Sequence, residues 1–282
     1  MKENLKKVFD RVSVKVSRDI TTAYSTSFSL GILALAPSIR PAIYAIYGYV
    51  RLADEIVDSF HEHNKAALLR RYEEQTWEAL EEKISLNPVL NSFQNTVHQY
   101  RIDRQLIVQF LRSMNMDLEQ VEYNSENYAE YILGSAEVVG LMCLKVFAHG
   151  DDSRYRALKP SAMKLGSAFQ KVNFLRDLKD DYQLLGRTYF PGVNFEGFDN
   201  SSKRQIEQEI DDEFREALTG IRQLPQSSRF GVYLAFRYYR TLFSKIRRLP
   251  PSEILLSRTR ITNRRKLVIL VRSYVSSRLG RI

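Results

Sequence analysis

Apolar and polar residues along this chain recur at intervals of three and four, and almost nowhere at intervals of two. Ile43, Tyr47, Arg51, Asp54 and Asp58 follow one another by four, four, three and four positions, which places all five on one face of a helix. The same period runs through 64–84, with Asn64 as a candidate N-cap and Trp77 on the core side. It continues through the stretch opened by Pro88, then 103–120, 125–150, 161–186, about 203–223, 226–248 and 262–278. Gly150 and Gly186 read as stops, 186–202 as a loop, and Pro250-Pro251 as a break. Only 12 glycines and 8 prolines occur in 282 residues, as long helices require. No repeat and no Pro/Gly/Ser-rich linker divides the chain. The expectation is an all-α bundle of about ten helices, one domain over residues 1–282.

The formal net charge is +9, and the excess gathers in "FRYYRTLFSKIRRLPPSEILLSRTRITNRRK" near the C-terminus. Such a stretch attracts phosphate, whether in nucleic acid, lipid headgroups or a diphosphate. No zinc-finger spacing and no RNA-binding aromatic signature accompanies it, so no nucleic-acid partner is expected. Cys143 is the only cysteine. It can form no internal disulfide, which points to a reducing, cytoplasmic setting, and its apolar neighbours suit a small core residue. The charged beginning of the chain lacks a signal core. The most apolar window, 30–50, is interrupted by Pro37, Arg40 and Pro41, so no spanning helix is expected there. His61, His63, His98 and His149 follow no metal-ligand spacing.

Two acidic stretches stand out. "RLADEIVDSF" (51–60) holds Asp54 and Asp58; "NFLRDLKDD" (173–181) holds Asp177 and Asp181, with Asp180 beside them. Each pair is D-x-x-x-D, one helical turn apart on one face. Each has an arginine close by, Arg51 and Arg176. Bare carboxylates this close repel, and one protonates unless a cation intervenes. A single such pattern is accounted for by a solvated acidic face. Two of them, each on an otherwise apolar helix, argue for shared oxygen ligation of Mg²⁺ carrying a diphosphate. Gln170, Asn173, Asp177 and Asp181 step by three, four and four, which adds a neutral amide oxygen to the second face. Arg51 and Arg176 have the fork geometry that suits diphosphate oxygens.

"YGYVRLADEIVDSF" and "AFQKVNFLRDLKDD" resemble the two signature segments of the squalene and phytoene synthase family. "AYSTSFSLG", "MNMDL", "YILGSAEVVGLMCL" and "GRTYFP" match in order, so the resemblance covers nearly the whole chain. It is greatest to bacterial phytoene synthases. It implies an isoprenoid-synthase helical bundle with a central apolar cavity. There, two geranylgeranyl diphosphates would be joined head to head through prephytoene diphosphate, opening carotenoid synthesis. Mg²⁺, replaceable by Mn²⁺, would be the cofactor, with no NADPH. The resemblance equally admits a squalene or dehydrosqualene synthase using farnesyl diphosphate. A non-catalytic lipid-binding relative should have lost motif acids, and this chain keeps all four principal aspartates.

By motif position, the resemblance makes Asp54, Asp58, Asn173, Asp177 and Asp181 the metal ligands, with Gln170 beside them and Glu55 behind. Tyr47 and Arg51 would reach the diphosphate or the cation. Ser25, Thr26 and Ser27 match a diphosphate-contacting turn, where some relatives read His-Ser-Lys-Ser. Here Tyr24 and Thr26 replace the His and the Lys, so that charge must come from elsewhere. Phe28 would line the cavity, and Tyr131 would steady a cation through its ring. Gly134, Ala136 and Gly140 are small, as close approach requires. Tyr239 and Arg258 would contact a second diphosphate. Ile32, one turn from Phe28, would set the depth of the tail channel and, being aliphatic, leave room for a twenty-carbon chain. An insoluble product and a basic C-terminal region imply a peripheral seat on a membrane; a monomer is one oligomeric state open to the chain.

Overall fold

The computed structural model describes residues 5–119, 123–185, 189–192 and 198–280, apart from the side chains of 182–185. Among the described residues there are thirteen α-helices and one π turn, and no strand. The helices are α1 (Leu5–Tyr24), α2 (Thr26–Leu33), α3 (Arg40–Asp58), α4 (Lys65–Glu82), α5 (Pro88–Tyr100), α6 (Arg104–Leu118) and α7 (Ser125–Ile132). The π turn, Leu133–Glu137, leads into α8 (Val138–Ala148). Then come α9 (Asp152–Leu185), α10 (Asn200–Gln223), α11 (Gln226–Ile246), α12 (Pro251–Ile254) and α13 (Asn263–Arg278).

Local chemistry sets these boundaries. Asn64 accepts from the Ala67 amide at 3.0 Å and caps α4; Asp199 accepts from Ser201 and Ser202 and caps α10. His149 and Gly150 both adopt positive φ, which ends α8. One boundary departs from expectation. α9 begins at Asp152, not at 161, and runs through Pro160. A proline there removes one ladder donor, but α9 is held along its length by α8, the π turn and α10. A buried ion pair contributes to that hold: Lys171 Nζ lies 2.8 Å from Glu213 Oε1 on α10, which also accepts from Ser167 at 2.8 Å. Of the loop expected over 186–202, residues 186–188 and 193–197, Gly186 among them, lie outside the described residues, and α10 already begins at Asn200.

Two apolar clusters form the core. One is built by α3–α6 and α8, with α1 packed over α3 and α5; the other by α7 and α9–α12. Between them runs a cavity of about 470 Å³ bounded by α2, α3, α8, α9, α10 and α11. The stretch Ser125–Ala148 is long and apolar enough, by length and composition, to cross a membrane, and 56% of that window is buried inside the bundle. Its neighbours are α3, α6 and α9. Trp77 is half-buried at the edge of the core, with the Arg104 guanidinium 4.4 Å over its ring.

Candidate active site

The cavity has an apolar barrel and a polar mouth. Ile32, Leu35, Ile46, Leu144, Phe147 and Leu158 line the barrel. At the mouth the structure brings together Ser25, Phe28, Tyr47, Arg51, Asp54, Gln170, Asn173, Arg176, Tyr239 and Arg258, all singled out in the sequence. Gly166, Ala136 and Gly140 make part of the wall. A Cβ on Gly166 would stand 2.7 Å from the Ala136 carbonyl oxygen, so α9 can reach the π turn only without a side chain there. Cys143 also lines the barrel; burial pushes its thiol up to about 12, which keeps it uncharged and inert.

Between barrel and mouth sits an aromatic collar. The Phe28 ring centre lies 5.6 Å from Tyr47, 5.9 Å from Tyr239 and 6.3 Å from Phe169, and Phe169 stacks on Tyr239 at 3.9 Å. Phe169 was not anticipated. It lies four residues before Asn173, on the acidic face of α9, so helical spacing was the available signal. Tyr239 donates to Asn173 Oδ1 at 3.2 Å. Burial pushes the Tyr47 hydroxyl up to about 12, which keeps it a neutral donor.

The acidic faces flank the mouth. On α3, burial and then the Asp58 carboxylate push Asp54 up to about 8, with Arg51 opposing. Arg51 is turned mainly elsewhere: it pairs with Glu55 and stacks 4.3 Å over the Tyr24 ring, while its buried Nε has no acceptor. Glu55, expected behind the ligands, is thus the direct partner of Arg51. On α9, Asp177 is held by two guanidinium groups. Arg176 Nε donates to Oδ1 at 2.9 Å and Arg258 Nε stands 2.6 Å from the same oxygen. Burial opposes the charge on Arg176, but the hydrogen bond and charge of Asp177 keep its pKa above the usual arginine value. Asp58, Asp177 and Asp181 are not among the residues lining the cavity.

A second cavity of about 440 Å³ opens beside the mouth and shares Tyr24, Ser25, Phe28, Arg176, Tyr239 and Arg258 with the first. Thr26 and Ser27 line it, together with Arg260 and Lys266. Lys266, from α13, reaches the Thr26 hydroxyl. The positive charge missing from the turn at 24–27 therefore arrives from a helix near the other end of the chain. Burial lowers the Lys266 pKa. Ser25 caps α2 by accepting from the Phe28 amide at 3.2 Å, so it does structural work as well as lining both cavities.

Tyr131, expected at the cavity, is placed away from both cavities. Its ring packs among Tyr123, Phe174 and Tyr189, its hydroxyl donates to Asp117 Oδ2 at 2.9 Å, and it is absent from the lining of either cavity. The aromatic groups that do line the first cavity are Tyr24, Phe28, Tyr47, Phe147, Phe169 and Tyr239. Gly134, likewise, faces α6 and not the cavity: a Cβ there would stand 2.6 Å from the Gln109 carbonyl oxygen.

The family model for squalene/phytoene synthase matches residues 21–265. The chain belongs to the squalene/phytoene synthase family. Among sequence relatives, a chloroplastic phytoene synthase of Narcissus pseudonarcissus is 29% identical over 86% of this chain and 60% of its own length. That of an Oncidium hybrid is 32% identical over 80% and 59%. The chain thus spans about three-fifths of the length of these plant relatives. A 15-cis-phytoene synthase of Synechococcus elongatus is 28% identical, with 81% of this chain and 82% of that protein covered. Among solved structures, a dehydrosqualene synthase in complex with ligand superposes with a TM-score of 0.80 at 22% identity, covering 95% of this chain and 98% of that one. A squalene synthase from Alicyclobacillus acidocaldarius gives 0.74 at 22%, covering 86% and 95%. These likenesses establish the all-α isoprenoid-synthase fold.

The family implies a divalent cation, and the donors fit one. Asp54, Asp58, Asn173, Asp177 and Asp181 offer only hard oxygens, the set Mg²⁺ prefers. Burial, and then the Asp58 carboxylate, raise the Asp54 carboxyl, and a bound cation would favour its ionised form. Among the described residues no three His, Cys, Asp or Glu side chains stand together as a ready-made metal cage. One or two carboxylates, completed by waters and substrate phosphate, are the usual holding of Mg²⁺.

Proposed function

We propose that this protein joins two allylic prenyl diphosphates head to head, with geranylgeranyl diphosphate as substrate and phytoene as product. The observation that carries this reading is one cavity whose aliphatic barrel meets an aromatic collar and then a mouth flanked by two acidic helix faces and by cations that include Arg176, Arg258 and Lys266. An apolar tail with a diphosphate head matches that order of surfaces.

Arg176, Arg258 and Lys266, with the hydroxyls of Ser25, Thr26 and Tyr239, hold diphosphate oxygens. Mg²⁺, when bound, supplies the Lewis acidity that lets diphosphate leave. The allylic C–O bond breaks and the diphosphate takes the electron pair. The collar rings face the resulting cation and stabilise it by their π faces. The double bond of the second substrate supplies the pair for the new C–C bond, with loss of a proton, giving a cyclopropyl diphosphate. A second C–O cleavage, rearrangement and loss of another proton complete the hydrocarbon. Two diphosphates and two protons leave, so no reductant is needed. The barrel keeps water from the cations. Substrate and product are lipids, so the reading includes work at a membrane surface.

Product identification tests it. The protein is incubated with Mg²⁺ and either farnesyl or geranylgeranyl diphosphate, without NADPH. A forty-carbon hydrocarbon from the longer substrate is expected. A thirty-carbon product formed at higher kcat/KM overturns the chain length, and no hydrocarbon from either overturns the reaction. Ile32 is buried at 4% exposure and lines the barrel. Ile32→Phe should move the kcat/KM ratio toward farnesyl diphosphate by about ten-fold, since an overpacked wall rejects the longer tail.

A further inference from the structure

α13 is apolar on two sides. Its inner side, with Ile269 at 6% and Ser273 at 0% exposure, packs on α11 and α2. Its outer side carries Leu267, Val268, Val271, Tyr274, Val275 and Leu279, exposed by 48–60%. These six are among fourteen large hydrophobic side chains exposed in the described residues. Scattered single ones are ordinary, but five on one sixteen-residue helix and a sixth at its C-cap form a patch that calls for a partner. They recur at three and four, so they make one continuous stripe.

Charge selects the occupant. After Glu253 the chain contains seven arginines and one lysine and no acid. Arg264, Arg265, Arg272 and Arg278 are exposed around the stripe. A second copy docked by two-fold symmetry would set α13 against α13 and bring these arginines together with no carboxylate on the helix to separate them. Nucleic acid would satisfy the arginines and leave the aliphatic stripe wet. An anionic bilayer satisfies both, because the side chains of the stripe enter the headgroup boundary while the guanidinium groups meet lipid phosphate.

We infer that the outer face of α13 is the seat of the protein on an anionic membrane. The inference rests on the lipid-diphosphate reading and adds the surface that serves it. Asn263 and Lys266, at the start of the same helix, line the basic cavity. Seating α13 therefore puts that cavity beside the bilayer from which an amphiphilic diphosphate would be drawn.

Flotation of the full chain with vesicles tests the seat, using phosphatidylcholine alone and phosphatidylcholine with phosphatidylglycerol. Two variants are compared with wild type: Val271→Glu/Val275→Glu, and Arg264→Gln/Arg272→Gln/Arg278→Gln. All five side chains are exposed, and circular dichroism checks that the helices are intact. Wild type should float with the anionic vesicles and release in high salt. Each variant should bind them roughly ten-fold or more weakly, while product formation in detergent micelles stays at the wild-type level. Variants that float like wild type would place the seat on another face. Wild type that ignores anionic vesicles would overturn the membrane itself. A wild-type dimer that Val271→Glu/Val275→Glu dissolves would show that a second copy covers the stripe. A wild type that floats as expected but makes no hydrocarbon in micelles would sink the catalytic reading and leave the seat standing.

Discussion

The acidic faces of α3 and α9 carry the same D-x-x-x-D spacing in different electrical surroundings. On α3, Arg51 pairs with Glu55, and Asp54 is left beside Asp58 with its carboxyl pushed up to about 8. On α9, Asp177 lies between Arg176 and Arg258. At Asp54 burial and Asp58 outweigh the Arg51 guanidinium, whereas Asp177 is held by two arginines. A diphosphate arriving with its cation would supply charge to the first face. At the second it would compete for the two arginines and free the carboxylate they hold. On the proposed reading, identical spacing would serve two tasks, one side taking up the cation and the other holding the groups that grip the phosphate.

The largest effect expected is on turnover. Asp54→Asn and Asp177→Asn should each reduce product formation by ~10²–10³-fold or more, the scale for removing a group that stabilises developing charge. Because the faces act on one leaving group, the double variant should be little worse than either single one. Losses that multiply in steady-state assays would mean that the faces work independently.

Stability of the metal-free protein should separate the faces by sign. Asp177→Asn leaves two guanidinium groups without their carboxylate and should destabilise by about 1–3 kcal/mol. Asp54→Asn removes a carboxyl that must either keep a proton or carry a charge repelled by Asp58, and should stabilise increasingly as pH rises toward 8. The pH dependence follows the same logic. The Asp54 pKa is raised from 3.8 to about 8, so the folded state keeps a proton that the unfolded chain has lost. That contribution is full below about pH 4, falls as pH rises, and is gone above about pH 8. Denaturant titrations across this range should show the decline in wild type and a flatter curve in Asp54→Asn. Equal signs for the two variants would break the comparison.

Smaller effects sharpen it. Lys266→Met should raise KM about ten-fold with less change in kcat, as loss of one charge-assisted phosphate contact predicts. An unchanged KM would return the cation of the turn at 24–27 to some other residue. Tyr131→Phe should cost about 1 kcal/mol of stability through the lost bond to Asp117 and leave kcat within a few-fold. A collapse of kcat at intact stability would give Tyr131 a part in the reaction.

Helical periodicity made most of the bundle legible, and the acidic faces with it, because both depend on spacing along one helix. Pro160 concealed the start of α9, since a proline ordinarily ends a helix and only tertiary packing shows that this one continues. Tyr131 was placed by motif position, which says nothing of the direction a ring takes; Asp117 holds its hydroxyl on the side of α6. Lys266 stands 240 residues from Thr26, and Arg258 stands 81 from Asp177. No spacing rule relates residues so far apart: Arg258 was reached by motif position alone, and Lys266 emerged only from the fold. Phe169 was within reach, one turn before Asn173 on a face already noted.

The central claim is that the two faces together remove diphosphate from two allylic substrates. Its most direct measurement is the inorganic diphosphate released per molecule of hydrocarbon, in wild type with Mg²⁺, in wild type with EDTA, and in Asp54→Asn. The account predicts two diphosphates per hydrocarbon with Mg²⁺ and negligible release in the other two arms. Release that persists in EDTA or in Asp54→Asn, or a ratio of one, would contradict it.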